Sequence, residues 1–331
     1  MRIKTQRLCV NTMKRLCLTA VLLVFTAAGL RAQLNAYFVN VGQGDAIYLE
    51  FPNGTNALID GGPSGEPIYQ FLKSKGVTKL DRVLLTHPHS DHYRGLKKVF
   101  TAFEVKNFYD TRAENVDAQG DNNLRELAKA EPGCRIIYPE PGSELKWDSR
   151  VTVKVMNSCT EAVQMHDNNE TNNCSLVLRV YYNGNGILLM GDAEAPIENA
   201  MMRIFKSGLN STYLKVAHHG SRYSSTDKFL ERVQPKIAII SVGKDNVYGH
   251  PHKEALDRLR AAGAQIYTTL GGTQSLTIPA PNKGMELLLD GQPQFGDLLS
   301  TEAPKFNMEE RPFESADAAA LQQLKENAEV K

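Results

Sequence analysis

RVLLTHPHSDHYRG, residues 82–95, runs from an apolar, strand-like start into four potential metal ligands within six residues: His87, His89, Asp91 and His92. His87 and His89 are two apart, so in extended chain their side chains share one face. Asp91 and His92 follow where a tight turn into a helix aims them at a second point. Such spacing can build two adjacent metal positions, since imidazole suits zinc, manganese or iron and a carboxylate adds charge. A solvated His-rich loop would read the same in isolation, but further candidates fall in line with this one. Asp60 follows the apolar run Ala57–Ile59, Asp192 follows Ile187–Gly191, and His218 and His219 follow Tyr213–Ala217. His250 lies in the loop after Lys236–Val242. Polar residues just beyond buried strands collect on one rim of a sheet, where loops gather function on a rigid scaffold.

Outward from this stretch the pattern is globular from Gln33 to about Ile278. β-Branched and aromatic runs predict strands at 36–41, 46–51, 56–59, 82–86, 151–156, 176–182, 187–190, 213–217, 236–242 and 265–270. Helical periodicity falls at 66–75, 122–130, 195–207, 226–233 and 253–262. Strands dominate early and helices interleave later, which predicts α+β layers rather than a pure doubly wound sheet. No internal repeat is visible. Residues 157–173 (NSCTEAVQMHDNNETNN) are polar and read as a surface loop.

The 331-residue chain has room for one large domain. Residues 1–32 read as a signal peptide: a basic start, the apolar run Leu16–Leu30, and a small residue, Ala32, before Gln33. The expected organisation is a signal at 1–32, a hydrolase domain at 33–298 and a polar C-terminal tail at 299–331. Removing the signal takes away six Lys or Arg and no acid, so the formal charge of +1 becomes −5. Such a chain has no global footprint for nucleic acid. Arg94, Lys97 and Lys98, with Lys215 and Arg222 flanking the paired histidines, offer a local basic patch; an ordinary solvated face is the bland alternative. Few aromatics lie near the motifs, so base stacking is not signalled. Cys134, Cys159 and Cys174 make at most one bridge, and none has zinc-thiolate spacing.

His87–His92 resembles the HxHxDH signature of the metallo-β-lactamase superfamily, and Leu58–Gly62 and Met190–Asp192 resemble its other aspartate motifs. Val41–Ala46, Asn173–Leu178, Ala217–Ser221 and Tyr248–His252 look like the branch of the competence protein ComEC and its secreted relatives. The resemblance covers roughly residues 35–278 and implies an αββα sandwich, two β-sheets between helices. It implies two divalent ions, zinc or manganese: His87 and His89 on the first, Asp91, His92 and His250 on the second, Asp192 bridging. Asp60 would orient a metal-bound histidine. The superfamily usually has another histidine before the strand leading to the bridging aspartate, and Glu170–Asn173 supplies none. By likeness to the branch, His219 is assigned to the first metal and His218 to the substrate side as a donor; the pair could be swapped, and His166 is a third option.

The implied chemistry is hydrolysis by a metal-held hydroxide available near neutral pH, without a Ser or Cys nucleophile. A phosphodiesterase acting on DNA or another phosphodiester outside the cytoplasm, secreted or periplasmic, is the leading expectation. No stable membrane anchor after signal cleavage and no specific protein partner are indicated. A choline-phosphate headgroup fits the same chemistry. A β-lactam or lactone hydrolase, or a non-catalytic metal-bound interaction module, are the alternatives.

Overall fold

A computed structural model describes residues 33–281 apart from 117–119, 160–162, 166–167 and 245. The signal peptide, the tail, residues 282–298 and His166 lie outside the described residues.

The first half runs β1 (Leu34–Phe38), β2 (Ile47–Glu50), β3 (Asn56–Ile59), α1 (Gly65–Ser74), β4 (Lys79–Leu80), β5 (Val83–Leu84), α2 (Ser90–Ala102), β6 (Glu104–Val105), β7 (Asn107–Tyr109), β8 (Ala113–Asn115), α3 (Gly120–Ala130) and β9 (Arg135–Ile137). The second runs β10 (Glu144–Asp148), β11 (Val151–Asn157), β12 (Val163–Met165), α4 (Asn168–Asn173), β13 (Val177–Tyr182), β14 (Asn185–Leu189), α5 (Ala195–Phe205), β15 (Tyr213–Lys215), α6 (Asp227–Val233), β16 (Ile237–Ile240), α7 (Lys253–Ala261), β17 (Gln265–Thr268) and β18 (Gln274–Ile278).

Two seven-stranded sheets form, ordered β18-β1-β2-β3-β5-β7-β9 and β10-β11-β13-β14-β15-β16-β17. Each is antiparallel over its first three pairings and parallel over its last three. The parallel strands are joined through helices, as a parallel connection requires. Period-two alternation divides the side chains between layers. Leu34, Ala36, Phe38, Ile47 and Leu49 meet Val153, Val155, Leu178, Val180 and Ile187 between the sheets. Tyr48, Leu58 and Val83 turn outward onto Ile68 and Leu72 of α1 and Leu96, Val99 and Phe100 of α2. Leu188, Leu214 and Ile240 turn outward onto Met201, Phe229 and Leu259 of α5, α6 and α7. Burying each large side chain contributes about 1.5–3 kcal/mol, so these three apolar layers define an αββα sandwich.

Each of the ten expected strands and five expected helices overlaps one observed. Residues 157–173 depart from the expected surface loop. They contain β12 and α4, and Thr171 and Asn172 are buried. Asn172 and Asn173 are turned to the site described next, Asn172 Nδ2 lying 3.4 Å from His218 Nδ1 and Asn173 Oδ1 accepting from the Glu194 N–H at 3.1 Å.

Candidate metal centre

The candidate residues all follow C-terminal strand ends on one rim. Asp60 follows β3, His87–His92 follow β5, Asp192 follows β14, His218 and His219 follow β15, and His250 lies in the loop after β16. Parallel strands in register bring those ends together. Two backbone devices set the geometry. Asp60 has φ 58°, a left-handed conformation, and the next residues pack so tightly on α2 that a Cβ on Gly95 would fall 1.8 Å from the Gly61 carbonyl oxygen. His218 and His219 are both left-handed, φ 48° and 53°, so the chain turns sharply and both rings face the rim. Strain of that kind costs roughly 1–3 kcal/mol per residue and collects at functional sites.

Four imidazoles have Nδ1 tied to an acceptor. His92 Nδ1 donates to Asp60 Oδ2 at 2.8 Å, and His219 Nδ1 donates to the Ser241 carbonyl at 2.9 Å. His218 Nδ1 donates to Glu194 Oε1 at 2.9 Å. His87 Nδ1 lies 3.1 Å from Thr86 Oγ1, whose own proton goes to Asp60 Oδ2 at 2.7 Å. A proton fixed on Nδ1 leaves Nε2 as a bare lone pair. All four Nε2 atoms approach Asp192 Oδ2: His92 at 3.4 Å, His219 at 3.5 Å, His87 at 3.8 Å and His218 at 4.0 Å. Asp192 is itself aimed by its backbone N–H, which donates to Ser175 Oγ at 2.9 Å.

Two groups of donor atoms result, His87 with His89 and Asp192, and Asp91 with His92 and His219. A third joins Asp45 to His92 and Asp192. Within the first, His87 Nε2 and His89 Nδ1 stand 3.0 Å apart. Buried His89 Nε2, His92 Nε2, His219 Nε2 and Asp192 Oδ1 have no hydrogen-bond partner. Unpartnered buried nitrogen lone pairs around a carboxylate cost free energy unless a cation satisfies them. The donor set therefore fits divalent metal.

The electrostatics agree. Burial works against the charge on Asp192, but His219, His92 and His218 draw its carboxyl well below the usual range. Burial holds His87 and His89 low, as neutral rings able to ligate. His92 and His219 are raised, Asp192 overcoming the opposing burial in both. A cation would take over the role of those protons.

Two expected placements differ from the geometry. His219 was expected with His87 and His89, yet its Nε2 lies 3.3 Å from Asp91 Oδ2, in the group of Asp91 and His92. His250 was expected to complete that group, yet it joins none of the three among the described residues. It sits outside His218, 5.2 Å ring to ring. The reason is the double left-handed turn, which sends His219 across the rim. Lys215, expected beside the pair as a phosphate guide, is fully buried on the central strand β15 and pairs with Asp45 at 2.6 Å. Lys98 pairs with Glu66, Lys97 lies over the Tyr93 ring, and Arg222 pairs with Glu254 at 3.3 Å. Glu194, Thr86 and Ser241, assigned no part in the sequence reading, orient the rings. Glu194 had one signal: it stands two residues beyond Asp192 on the same rim.

Fold and site together define a metal-dependent hydrolase class. The family profile described as Metallo-beta-lactamase superfamily matches residues 39–244, and the chain belongs to that superfamily. It is similar to ComE operon protein 3 of Bacillus subtilis (strain 168), 29% identical over 273 residues, covering 77% of this chain and 34% of that protein. It is also similar to Competence protein ComA of Neisseria gonorrhoeae, 29% identical over 222 residues, covering 67% of this chain and 28% of that protein. The chain thus spans about a third of the length of these relatives. Among solved structures, the metallo-beta-lactamase fold protein YhfI from Bacillus subtilis shares the fold, with a TM-score of 0.50 at 12% identity, covering 73% of this chain and 99% of that one.

Proposed function

We propose that this chain is an exported, dinuclear-metal phosphodiesterase acting on DNA or another nucleic acid. The observation that carries the reading is the convergence of four Nε2 atoms on Asp192, those of His92 and His219 being buried without a hydrogen-bond partner. In this reading His87, His89 and His218 would hold the first ion and Asp91, His92 and His219 the second, with the Asp192 carboxylate beside both groups. This moves His218 to the part expected for His219, and His219 to the part expected for His250. His218 takes the vacancy left by Glu170–Asn173, with Asn172 Nδ2 of that segment 3.4 Å from its Nδ1. Glu194, Ser241, Thr86 and Asp60 keep the rings in the ligating tautomer. His250 takes the substrate-side place first expected for His218. Two divalent ions, zinc or manganese, supply Lewis acidity and offset the charge gathering on a phosphoryl centre. Asp192, in contact with both groups, keeps the two positions at a fixed spacing. Attack and departure at a phosphodiester need that two-ended support, and the likeness of four segments to the ComEC branch favours nucleic acid over a headgroup.

Export is supported by the order of residues 1–32 and by the Cys159–Cys174 disulfide, Cα–Cα 5.0 Å, a bond that persists in oxidising compartments. No helix among the described residues is long and apolar enough to cross a membrane.

The test is metal analysis and turnover of purified residues 33–331 on bis-p-nitrophenyl phosphate, single-stranded and linear DNA, RNA and nitrocefin. The expected result is close to two ions per chain and metal-dependent cleavage of phosphodiesters, with Asp192→Ala losing both ions and turnover. Nitrocefin hydrolysis alone would move the chain to the lactam class, and bound metal without turnover to the interaction modules.

A further inference from the structure

A ladder of rings leads from the ligand groups to the surface. His218 and His250 lie 5.2 Å apart, and Tyr248 stacks on His250 at 5.7 Å with 22° between the planes. Tyr248 is 63% exposed and Val247 beside it 91%. Single exposed apolar side chains need no explanation, but these two do not sit on slack chain. Asn246 Nδ2 donates to the Gly243 carbonyl at 2.9 Å and the His250 carbonyl at 2.8 Å, while its Oδ1 accepts from His250 N–H at 2.9 Å. One side chain thereby pins both flanks of residues 247–249. The neighbouring turn is tied to the same place: Arg222 N–H donates to His252 Nδ1 at 3.1 Å, and the His252 ring is 4.8 Å from His250. Tyr223 on that turn is 64% exposed.

The loop therefore holds a phenol ring partly against an imidazole and largely in water, at the outer end of a path that begins at the metal positions. A fixed, flat π surface beside a phosphodiester site is the chemistry that receives a nucleobase, because every base has a π face. Bases inside a duplex are already stacked on each other, so the base offered must be unpaired. We propose that Tyr248 is the stacking platform for an unpaired base of a single-stranded nucleic acid whose phosphodiester lies over the His/Asp groups. The proposal rests on the phosphodiesterase reading and narrows it to single strands and frayed ends. Few aromatics near the motifs left base stacking unsignalled in the sequence: Tyr248 lies inside the Tyr248–His252 motif, but only the fold shows its ring turned outward.

The test uses the mature chain with its resident metal and a single-stranded oligodeoxynucleotide carrying 2-aminopurine. Stopped-flow mixing reads quenching of that base on stacking, before any cleavage. A second oligomer of equal length has abasic tetrahydrofuran residues in place of the bases. Tyr248→Ala should weaken binding of the first oligomer by roughly 5- to 100-fold and of the second by less than twofold. Tyr248→Phe should bind both like the wild type. Equal weakening on both oligomers, or no quenching with the wild type, overturns the platform. Quenching depends on binding alone, so it decides the matter even if no phosphodiester is cleaved. Cleavage without quenching leaves the phosphodiesterase reading standing and removes this one. Tight binding of a protein surface at Val247 and Tyr248 with no oligonucleotide affinity also overturns it.

Discussion

At the residue scale, each candidate ligand ring depends on the group behind it. Glu194 touches only His218 Nδ1 among the ligand atoms, at 2.9 Å, and so acts through it as a positioning residue. Removing an acceptor of this kind typically costs 10–100-fold in metal affinity. Glu194→Gln should therefore lower affinity for one of two ions by that factor, while His218→Ala should lower it further, both read by zinc titration against a competing chelator. His219→Ala should empty the other position. Full metal retention in His218→Ala would return that residue to the substrate side. His250 lies outside the ligand groups, so His250→Ala should keep both ions and slow phosphodiester turnover about 10- to 100-fold, the size of a lost hydrogen bond to a charged group. Metal loss in that variant would put His250 back among the ligands. The gathering of candidate donors on one rim was legible because HxHxDH, GD and HH stand at strand ends. Which of two adjacent histidines points where was not, since it turns on two left-handed φ angles that no residue type announces. His219 in particular has no glycine or asparagine character to betray its turn.

At the element scale, the rim segment after β7 rests on α3 through one guanidinium. Arg125 Nε donates to Asp110 at 2.6 Å, its Nη1 to Asp121 at 3.2 Å, and its Nη2 to the Ala113 carbonyl at 2.5 Å. All three charged groups are buried. Removing one member of such a cluster leaves uncompensated charge and costs about 3–5 kcal/mol. Arg125→Met should lower stability to urea by that amount at pH 7. The pH dependence follows from Asp110, which burial pushes up to about 6 against the pull of Arg125. A carboxyl raised above its unfolded value binds its proton more tightly when folded, so its contribution is full below about pH 4 and is lost as pH rises through 6. Without Arg125 the carboxyl is raised further, so the cost of Arg125→Met should shrink as pH falls from 7 to 5. A cost independent of pH would show that Asp110 stays ionised throughout. None of this cluster was legible beforehand: Asp110, Asp121 and Arg125 carry no motif, and they meet only because β7 and α3 pack. Strands such as β3 and β14 were legible from β-branched or aliphatic runs, whereas β10 (ELKWD) and β18 (QSLTI) hide among polar letters because their outward faces are wet.

At the scale of the whole molecule, the candidate metal positions draw their donor groups from both sheets. His87–His92 belong to the first half and Asp192, His218 and His219 to the second, so any ion bound there holds the two halves together. Binding to the folded form alone adds RT ln(1 + [L]/Kd), about 2.7 kcal/mol per site at a hundredfold excess. For a domain of this size each kcal/mol moves Tm by roughly 2–4 °C. Chelation should lower Tm by about 5–10 °C per ion lost, with recovery on adding zinc or manganese; an unchanged Tm would mean that the two halves need no ion between them. The layered fold was legible from strand and helix order, while the like plan of the two sheets was not, since pairing order leaves no repeat in the letters. One pairing bears on how such a domain can be used. Among the described residues the first strand lies against the last, Leu34 opposite Ile278 and Phe38 opposite Gln274, antiparallel along the edge of one sheet. The two ends of the layered sandwich are therefore side by side, like the two leads of a plug. A body wired in that way can be appended to a host polypeptide, or set into one of its loops, without parting the host's own ends by more than the width of a strand pair. That portability suits a unit whose relatives carry it as about a third of a much longer chain.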